Sequence, residues 1–170
     1  KRWLKFKTLK RGYYALVTLT FLYGISFLLP ILINNRALIV SYEDDIFFPI
    51  LKGYIPGQTF GQNVPGEAKS RELRKSFIQD DTGNWVLMPP YPYSPFEDIT
   101  TEGNKMYESP SRKHWLGTDN TGRDVFARLC YAFNISISFA LILTIINYFF
   151  GIFIGGSMGY FGGKFDLFFQ

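Results

Sequence analysis

A glycine-rich run late in the 170-residue chain is the first group of residues whose spacing suggests chemistry. The run Gly159-Tyr-Phe-Gly-Gly-Lys164 ends in Gly-Lys, as a Walker A phosphate loop does. That loop also needs a glycine five residues before Gly163, where this chain has Met158, and a Ser or Thr in place of Phe165. The sequence therefore predicts no nucleotide-binding site.

Two further groups have the residue types of a metal site without its pattern. Asp119 and Asp124 flank Gly122, but the alternating ligands and terminal glutamate of a calcium loop are missing. His114 is the single histidine and has no histidine or cysteine at ligand spacing, so we expect a surface or packed histidine. A hydrolase would need an acid pair or a nucleophile with its base, and this chain has a single histidine. The sequence predicts no catalytic, cofactor-binding or metal-binding residue, and no enzyme.

Apolar residues dominate the chain and are concentrated in two blocks without charge. These blocks are Gly12 to Asn35 and Leu129 to Gly163. Because about 20 residues cross the hydrocarbon layer, each block predicts one transmembrane helix, which we assign to residues 13–33 and 129–158. Pro30 is expected to kink or end the first helix near the outer face. The predicted fold is a membrane all-α protein with an irregular α+β extracytoplasmic insertion.

The distribution of charge predicts the orientation of the chain. Six of the 18 basic residues lie at the start, namely Lys1, Arg2, Lys5, Lys7, Lys10 and Arg11. Basic residues beside a membrane span stay in the cytoplasm, so residues 1–12 are predicted inside and residues 34–113 outside. The net charge of +4 therefore indicates lipid as the neighbour and no nucleic acid. A cleaved signal peptide is the alternative for the first block, but the apolar run is long for one.

The outer segment, residues 34–113, contains eight of the nine prolines and shows little helical periodicity. The predicted elements are strands at Ala37 to Tyr42, Ile46 to Leu51 and Trp85 to Met88, and a helix at Ala68 to Ser76. The polar stretch Gly61 to Asp81 is expected to be exposed. The prolines between Pro89 and Pro95 favour a loop packed on its own tyrosines over a polyproline ligand. Cys130 is the only cysteine, so packing alone must hold the segment together.

Residues 114–128 are predicted to form a turn that leads into the second transmembrane helix. The run from Asp119 to Gly122 consists of turn-forming residues. Asp124 is expected in the first helical turn, where a carboxylate complements the helix dipole, and Arg128 is expected to pair with it.

This segment resembles the signature of the C-type permease subunits of dipeptide and oligopeptide ABC importers, W-L-G-T-D-x-x-G-R-D before the second transmembrane helix. The matching residues, called the signature below, are Trp115, Leu116, Gly117, Thr118, Asp119, Gly122, Arg123 and Asp124. Gly159 to Gly163 with Asp166 is similar to the family's cytoplasmic turn, so residues 159–170 are expected to form that turn and start the next helix. Val40-Ser-Tyr, Phe48-Pro-Ile and Gly83 to Pro90 resemble the subgroup that imports microcin C and related oligopeptides.

The resemblance implies a multi-pass permease subunit of the bacterial inner membrane that forms part of a translocation pathway. It also implies three protein partners, namely a homologous second permease subunit, cytoplasmic ATPase subunits that bind ATP and Mg, and a periplasmic peptide-binding protein. The family's E-A-A coupling loop does not occur before Gln170. We therefore expect an N-terminal fragment of a six-helix permease, either trimmed or from an interrupted gene, that does not transport alone.

Small residues recur at every fourth position of the second helix. They are Gly151, Gly155, Gly159 and Gly163, with Asn147 one step earlier. This spacing favours close helix packing inside a bundle, and an amide at membrane depth usually faces protein or water. A role for Asn147 in lining the peptide pathway is the alternative.

A two-helix membrane sensor with an extracytoplasmic ligand-binding lobe would share this topology and is the alternative function. It would need a cytoplasmic signalling domain after the second helix. Tyr91 and Tyr93 are expected to be exposed and to help the outer lobe contact the binding protein or the sister permease. The residues that bind substrate and the peptide preference are not identifiable from the sequence.

Overall fold

The computed structural model describes residues 6–80, 83–99 and 106–163. Its helices are α1 Lys10–Ser26, α2 Leu29–Leu32, α3 Pro49–Lys52, α4 Ser70–Asp80 and α5 Val125–Phe161, with a 3-10 helix at Gly57–Phe60. The strands are β1 Ile39–Tyr42, β2 Asp45–Phe47 and β3 Trp85–Leu87. The described residues do not include Lys1, Arg2 and Lys5 of the basic start, or Asp81. They also do not include residues 164–170, which contain Phe165 and Asp166. Two compact units divide the chain, Lys1–Ala132 and Phe133–Gln170.

The first apolar block forms two helices instead of one. α1 ends at Ser26, and the amides of Phe27 and Leu28 bond three residues back, to Gly24 and Ile25 at 3.3 and 2.8 Å. Pro30 lacks an N–H and therefore makes no helical bond to Ser26, which explains why the break falls just before it. The predicted interruption by Pro30 is confirmed, and the helical run ends at Leu32.

The outer segment forms a three-stranded antiparallel sheet in the order β2-β1-β3. A two-residue turn joins β1 to β2, and both of its residues, Glu43 and Asp44, have positive φ angles of 50° and 67°. The predicted strand from Ile46 to Leu51 is wrong in its second half. Pro49 cannot donate a ladder hydrogen bond and instead begins α3, so β2 ends at Phe47.

One hydrophobic core holds the sheet against α4. Its buried residues are Ala37, Val40, Ile55, Phe60, Leu73, Phe77, Val86 and Met88. The helix begins at Ser70, two residues later than predicted, and ends at Asp80. The expectation that residues 61–81 are exposed is wrong for α4, because Leu73 and Phe77 face this core.

The proline-rich loop packs on its own tyrosines, as predicted. The rings of Tyr91 and Tyr93 lie 5.3 Å apart. Arg71 of α4 holds the loop from the other side, because its guanidinium donates to the Pro92 carbonyl at 2.6 Å and to both oxygens of Glu97 at 2.8 and 2.9 Å. The loop is therefore part of the folded outer segment.

The second apolar block forms the long helix α5, which begins four residues before the predicted span 129–158 and ends three residues after it. Among the described residues, α5 is the one helix with the length and mean hydropathy, 2.3, typical of a membrane span. Gly159 is still helical, so the turn predicted from residue 159 begins later. Gly162 and Gly163, with φ angles of 53° and 56°, end the helix.

Candidate functional site

The signature residue Asp124 lies at the centre of a buried hydrogen-bond network at the start of α5. Its side chain is 0% exposed. One carboxylate oxygen, Oδ1, accepts the Ala127 amide at 2.8 Å, which makes Asp124 the N-cap of α5. Asp124 therefore precedes the first helical turn, in which it was predicted. The other oxygen, Oδ2, accepts hydrogen bonds from Tyr91 Oη at 2.7 Å and from His114 Nδ1 at 2.8 Å.

His114 is a packed histidine, as predicted. It is 1% exposed, and its ring lies 4.4 Å from that of Tyr93. Its second nitrogen, Nε2, faces Glu108 Oε2 at 3.7 Å. No group of three potential metal ligands occurs among the described residues. The imidazole thus bridges the loop at Glu108 to the N-cap at Asp124.

Tyr91 joins the outer segment to this network. Its hydroxyl also accepts the Trp115 amide at 3.3 Å, and its ring lies 5.1 Å from the rings of Trp115 and Phe126. Burial and the hydrogen bond to Asp124 raise the pKa of Tyr91 above its ordinary value, so the phenol stays protonated and donates. Tyr91 is 5% exposed and Tyr93 is half-buried. The expectation that both are exposed contact residues is therefore wrong, because both rings help to build the network.

A hydrophobic cluster around Tyr91 contains the end of the first apolar block. Leu29 and Ile33 are buried beside Tyr91 and Ala127. Backbone bonds join Tyr91 to Leu32 at 3.0 Å and to Asn34 at 3.2 Å, and the Tyr131 hydroxyl donates to the Ile33 carbonyl at 2.9 Å. The signature thus fixes the end of α2 and the start of α5 beside each other.

Asp119 organises the turn before α5. Its Oδ1 accepts the amides of Thr121 and Arg123 at 2.8 and 2.9 Å and the Thr121 hydroxyl at 2.7 Å. Its Oδ2 pairs with Arg128. Burial would raise the pKa of Asp119, but these hydrogen bonds and the Arg128 charge lower it to about 2. The predicted pairing of Arg128 with Asp124 is wrong, because the buried Asp124 carboxylate bonds to Tyr91, His114 and Ala127 instead.

Gly117 and Thr118 fasten the turn to the preceding loop. Gly117 has a φ of +75°, and a Cβ built on it would lie 2.3 Å from the Glu108 carbonyl oxygen, so no other residue fits. The Thr118 hydroxyl accepts the Glu108 amide at 2.8 Å and donates to the Met106 carbonyl at 2.7 Å. Gly122 also has a positive φ, 69°. Gly117, Thr118 and Gly122 therefore fix the backbone conformation of the segment before α5.

Three signature residues are less fully engaged by the part of the chain that the structure describes, although Trp115 packs on Tyr91 and Phe126. Trp115 is 56% and Leu116 is 46% exposed. Among the described residues, nothing accepts a hydrogen bond from the buried Nε of Arg123.

The small residues at every fourth position of α5, from Asn147 to Gly159, lie in the second unit, Phe133–Gln170. Gly151, Gly155 and Gly159 each have open space where a Cβ would stand. Asn147 and Gly151 line a shallow groove of about 410 Å³ with Tyr148 and Ile152. Among the described residues, none fills this stripe, so its role in helix packing stays a prediction.

Tyr91 and Glu108 are the network residues that sequence reasoning missed as partners of the signature. Tyr91 stands 33 residues before Asp124, and no periodicity links the two positions. The single histidine is the sequence signal that could have pointed to these partners, because a buried histidine needs polar groups to bond to.

Two known permeases match almost the whole chain. The inner membrane ABC transporter permease protein YejE of Escherichia coli (strain K12) is 36% identical over 167 residues, which are 98% of this chain and 48% of the relative. The peptidoglycan transport system permease protein YejE of Agrobacterium fabrum is 31% identical over 199 residues, 100% of this chain and 50% of the relative. The dipeptide transport system permease protein DppC of Bacillus subtilis is 40% identical over 75 residues, 44% of this chain and 22% of the relative.

The chain spans about half the length of the two relatives that match it throughout. No family model matches it, and no solved structure matches it. The chain is homologous to the permease subunits of peptide-type ABC importers, as its signature predicted, and it is a membrane protein.

Proposed function

We propose that this homologue of ABC-importer permeases is a membrane subunit that forms part of a peptide translocation pathway across the bacterial inner membrane. The observation that carries the proposal is 36% identity with a permease over 98% of the chain. The relatives named above are all permeases, which favours transport over the two-helix sensor. No residue of this chain is proposed to catalyse a reaction.

The proposed topology has two membrane spans and a cytoplasmic N-terminus. Residues 13–33, which contain α1 and α2, form the first span, and residues 129–158 of α5 form the second. The side chains of α1 support this assignment, because Leu16, Leu19 and Phe21 are 44, 52 and 64% exposed although apolar. A helix with apolar side chains exposed in this way is stable in lipid and is unfavourable in water. Residues 34–113 then lie outside as a folded lobe.

The proposed substrates are oligopeptides or peptide-bearing compounds of the microcin C type. Two of the relatives are named for peptidoglycan and dipeptide transport, and peptide bonds are common to both kinds of compound. The translocation pathway is expected to form between this chain and a homologous second permease. The stripe of Asn147, Gly151, Gly155 and Gly159 is the proposed packing face for a neighbouring helix. Gly163, expected on the same face, lies beyond the end of α5 at Phe161.

The proposed energy source is a pair of cytoplasmic ATPase subunits, which bind ATP and Mg. A periplasmic binding protein is proposed to deliver the peptide to the outer lobe. The signature is proposed to contribute by joining the outer segment to the start of α5, through Tyr91, His114 and Asp124. Close packing of this kind transmits strain between elements with little compression.

Cysteine labelling tests the topology directly, because Cys130 is the only cysteine to be removed. In a Cys130→Ser background, Asn63→Cys is expected to react with a membrane-impermeant maleimide in intact spheroplasts. Thr8→Cys is expected to react only after the membrane is permeabilised. Labelling of both positions, or of neither, in intact spheroplasts would refute the two-span topology.

Uptake measurements test the substrate class. Cells that lack the gene for this chain are expected to lose uptake of a radiolabelled oligopeptide and to regain it when the gene is restored. A peptidoglycan-derived muropeptide is measured in parallel. Unchanged uptake of both compounds would refute the proposed transport function.

A further inference from the structure

Three of the eight signature residues point to a partner outside the chain. Gly117, Thr118, Asp119, Gly122 and Asp124 are engaged by backbone geometry or internal hydrogen bonds. Trp115 and Leu116 are instead half-exposed apolar side chains, and Arg123 has a buried Nε without an acceptor among the described residues. Exposed apolar side chains such as those of Trp115 and Leu116 gain free energy when an apolar neighbour covers them.

These three signature residues and three exposed residues that precede them in the chain make up a group that we call the entrance collar, in which Arg123 is half-buried and the others are exposed. Its members are Tyr107, Arg112, Lys113, Trp115, Leu116 and Arg123. Tyr107 is 71% exposed and adjoins Glu108, which bonds to Thr118 inside the signature. A hydrogen bond from the Ser111 amide to the His114 carbonyl, 2.8 Å long, holds Arg112 and Lys113 in a turn next to Trp115. Both hydrogen bonds connect neighbours of collar residues to the segment that leads into α5.

The charge of the entrance collar is positive. Arg112 and Lys113 are exposed, and no described carboxylate pairs with them or with Arg123. The nearby acids are already engaged, since Glu108 faces His114 and Asp119 pairs with Arg128. Three cations beside exposed aromatic and aliphatic side chains are complementary to the surface of an anionic lipid bilayer. The cations suit its phosphate groups, and the apolar side chains suit the acyl chains beneath them.

The position along α5 places the collar at the depth of lipid headgroups. The Trp115 ring lies 4.8 Å from that of Phe126, in the first turn of α5. Phe126 is three residues before Leu129, where the proposed span begins, and three residues rise about 4.5 Å. The headgroup region extends roughly 5–7 Å beyond the hydrocarbon on each side. The collar therefore stands at the depth where tryptophan and arginine are favoured.

We propose that the entrance collar binds anionic phospholipid headgroups of the outer leaflet. Arg112, Lys113 and Arg123 contact lipid phosphates, and Trp115 and Leu116 insert at the boundary with the acyl chains. The lipid contact holds the start of α5 at a fixed depth while the lobe above it stays folded. This inference rests on the proposed topology and is independent of which substrate is transported.

Tryptophan quenching by brominated lipids tests the inference. The full chain is extracted in native nanodiscs, with the subunits that accompany it, and exchanged with phosphatidylglycerol or phosphatidylcholine brominated near the glycerol. Trp3→Phe and Trp85→Phe leave Trp115 as the only tryptophan of this chain, and subtracting the signal of the same assembly with Trp115→Phe removes the tryptophans of other subunits. Stronger quenching by the brominated phosphatidylglycerol is expected. Replacing Arg112, Lys113 and Arg123 by Gln is expected to reduce this preference at least about fivefold, whereas Gln at the exposed Lys52, Arg74 and Lys75 leaves it unchanged.

A second reporter separates failure of this inference from failure of the topology. Trp115→Phe with Phe139→Trp places a single tryptophan within the proposed span, and lipids brominated deep in the acyl chain are expected to quench it. If that reporter is quenched and Trp115 is not, a protein subunit covers the collar and the lipid inference is wrong. If neither is quenched, both the topology and the inference are wrong. Equal quenching of Trp115 by the two lipids would refute recognition of anionic headgroups.

Discussion

Replacing Asp124 by Asn is expected to destabilise the start of α5 strongly, although the two side chains have nearly the same shape. Asparagine keeps one acceptor oxygen, which can retain the N-cap bond to Ala127. Its amide group cannot accept the hydrogen bonds that Tyr91 and His114 donate to Oδ2 at 2.7 and 2.8 Å. Both donors are buried, so neither finds water in place of the lost oxygen.

The expected magnitude follows from two lost bonds to a buried carboxylate. Each such loss costs about 1.5–3 kcal/mol, so the free energy of unfolding should fall by at least about 3 kcal/mol. For a chain of this length, 1 kcal/mol shifts Tm by about 2–4 °C. The expected decrease is therefore about 6 °C or more. Tyr91→Phe removes one of these bonds and is expected to cost about half as much.

Thermal unfolding of the full chain in detergent micelles measures the effect, with Trp3→Phe and Trp85→Phe in every variant so that Trp115 alone gives the fluorescence signal. Asp44→Asn is the matched control, because Asp44 is exposed and asparagine tolerates its φ of 67°. The double variant of Tyr91→Phe and Asp124→Asn is expected to be less destabilised than the sum of the two, since the bond is shared. A Tm for Asp124→Asn within 1 °C or so of the Asp44→Asn control would refute the buried-network account.

Three further predictions concern Gly117, Asp119 and the α5 stripe. Gly117→Ala is expected to cost at least about 3 kcal/mol in the same assay, because its Cβ would clash with the Glu108 carbonyl; Gly83→Ala, at the same φ of +75° in open space, should cost about 1–2 kcal/mol. Since the folded pKa of Asp119, about 2, lies below its ordinary value of 3.8, its stabilising contribution is complete above 3.8 and is lost as pH falls toward 2. Asp119→Asn should flatten the pH dependence of Tm in that window, and an unchanged profile would contradict the role of Asp119. Gly155→Leu is expected to abolish copurification with a second permease subunit, whereas Phe153→Leu on the opposite helix face should not; equal copurification would exclude the stripe as the packing face.

Local signals made much of this fold predictable. Charge-free runs located both apolar blocks, Pro30 marked the interruption of the first, and turn formers on either side located β1 and β3. The misplaced end of β2 shows the limit of such patterns, because the apolar residues around Pro49 suit a strand or a short helix equally well. The burial of Leu73 and Phe77 was missed since their helix is mostly polar, and only the sheet opposite gives its apolar side a partner.

The candidate site was predictable in position but not in contacts. The signature located the turn before α5, although the helix begins at Val125, four residues before the predicted span. It did not predict that Asp124 would be buried between Tyr91 and His114, because those residues approach only after the outer segment has folded. Helical spacing predicts a pair between Arg128 and Asp124, yet the Asp124 carboxylate is buried and bonded to Tyr91 and His114. The Oδ2 oxygen of the partly exposed Asp119 pairs with Arg128 instead. Tertiary packing decided each of these pairings.

Isolation of the native membrane assembly tests the central claim that this chain is a permease subunit. The chain is extracted from its own cells in native nanodiscs, and its partners are identified by mass spectrometry. The account predicts a second, homologous permease and an ATPase in stoichiometric amounts, with ATP hydrolysis by the purified assembly. A chain that purifies alone, or with a signalling protein and without an ATPase, would contradict it.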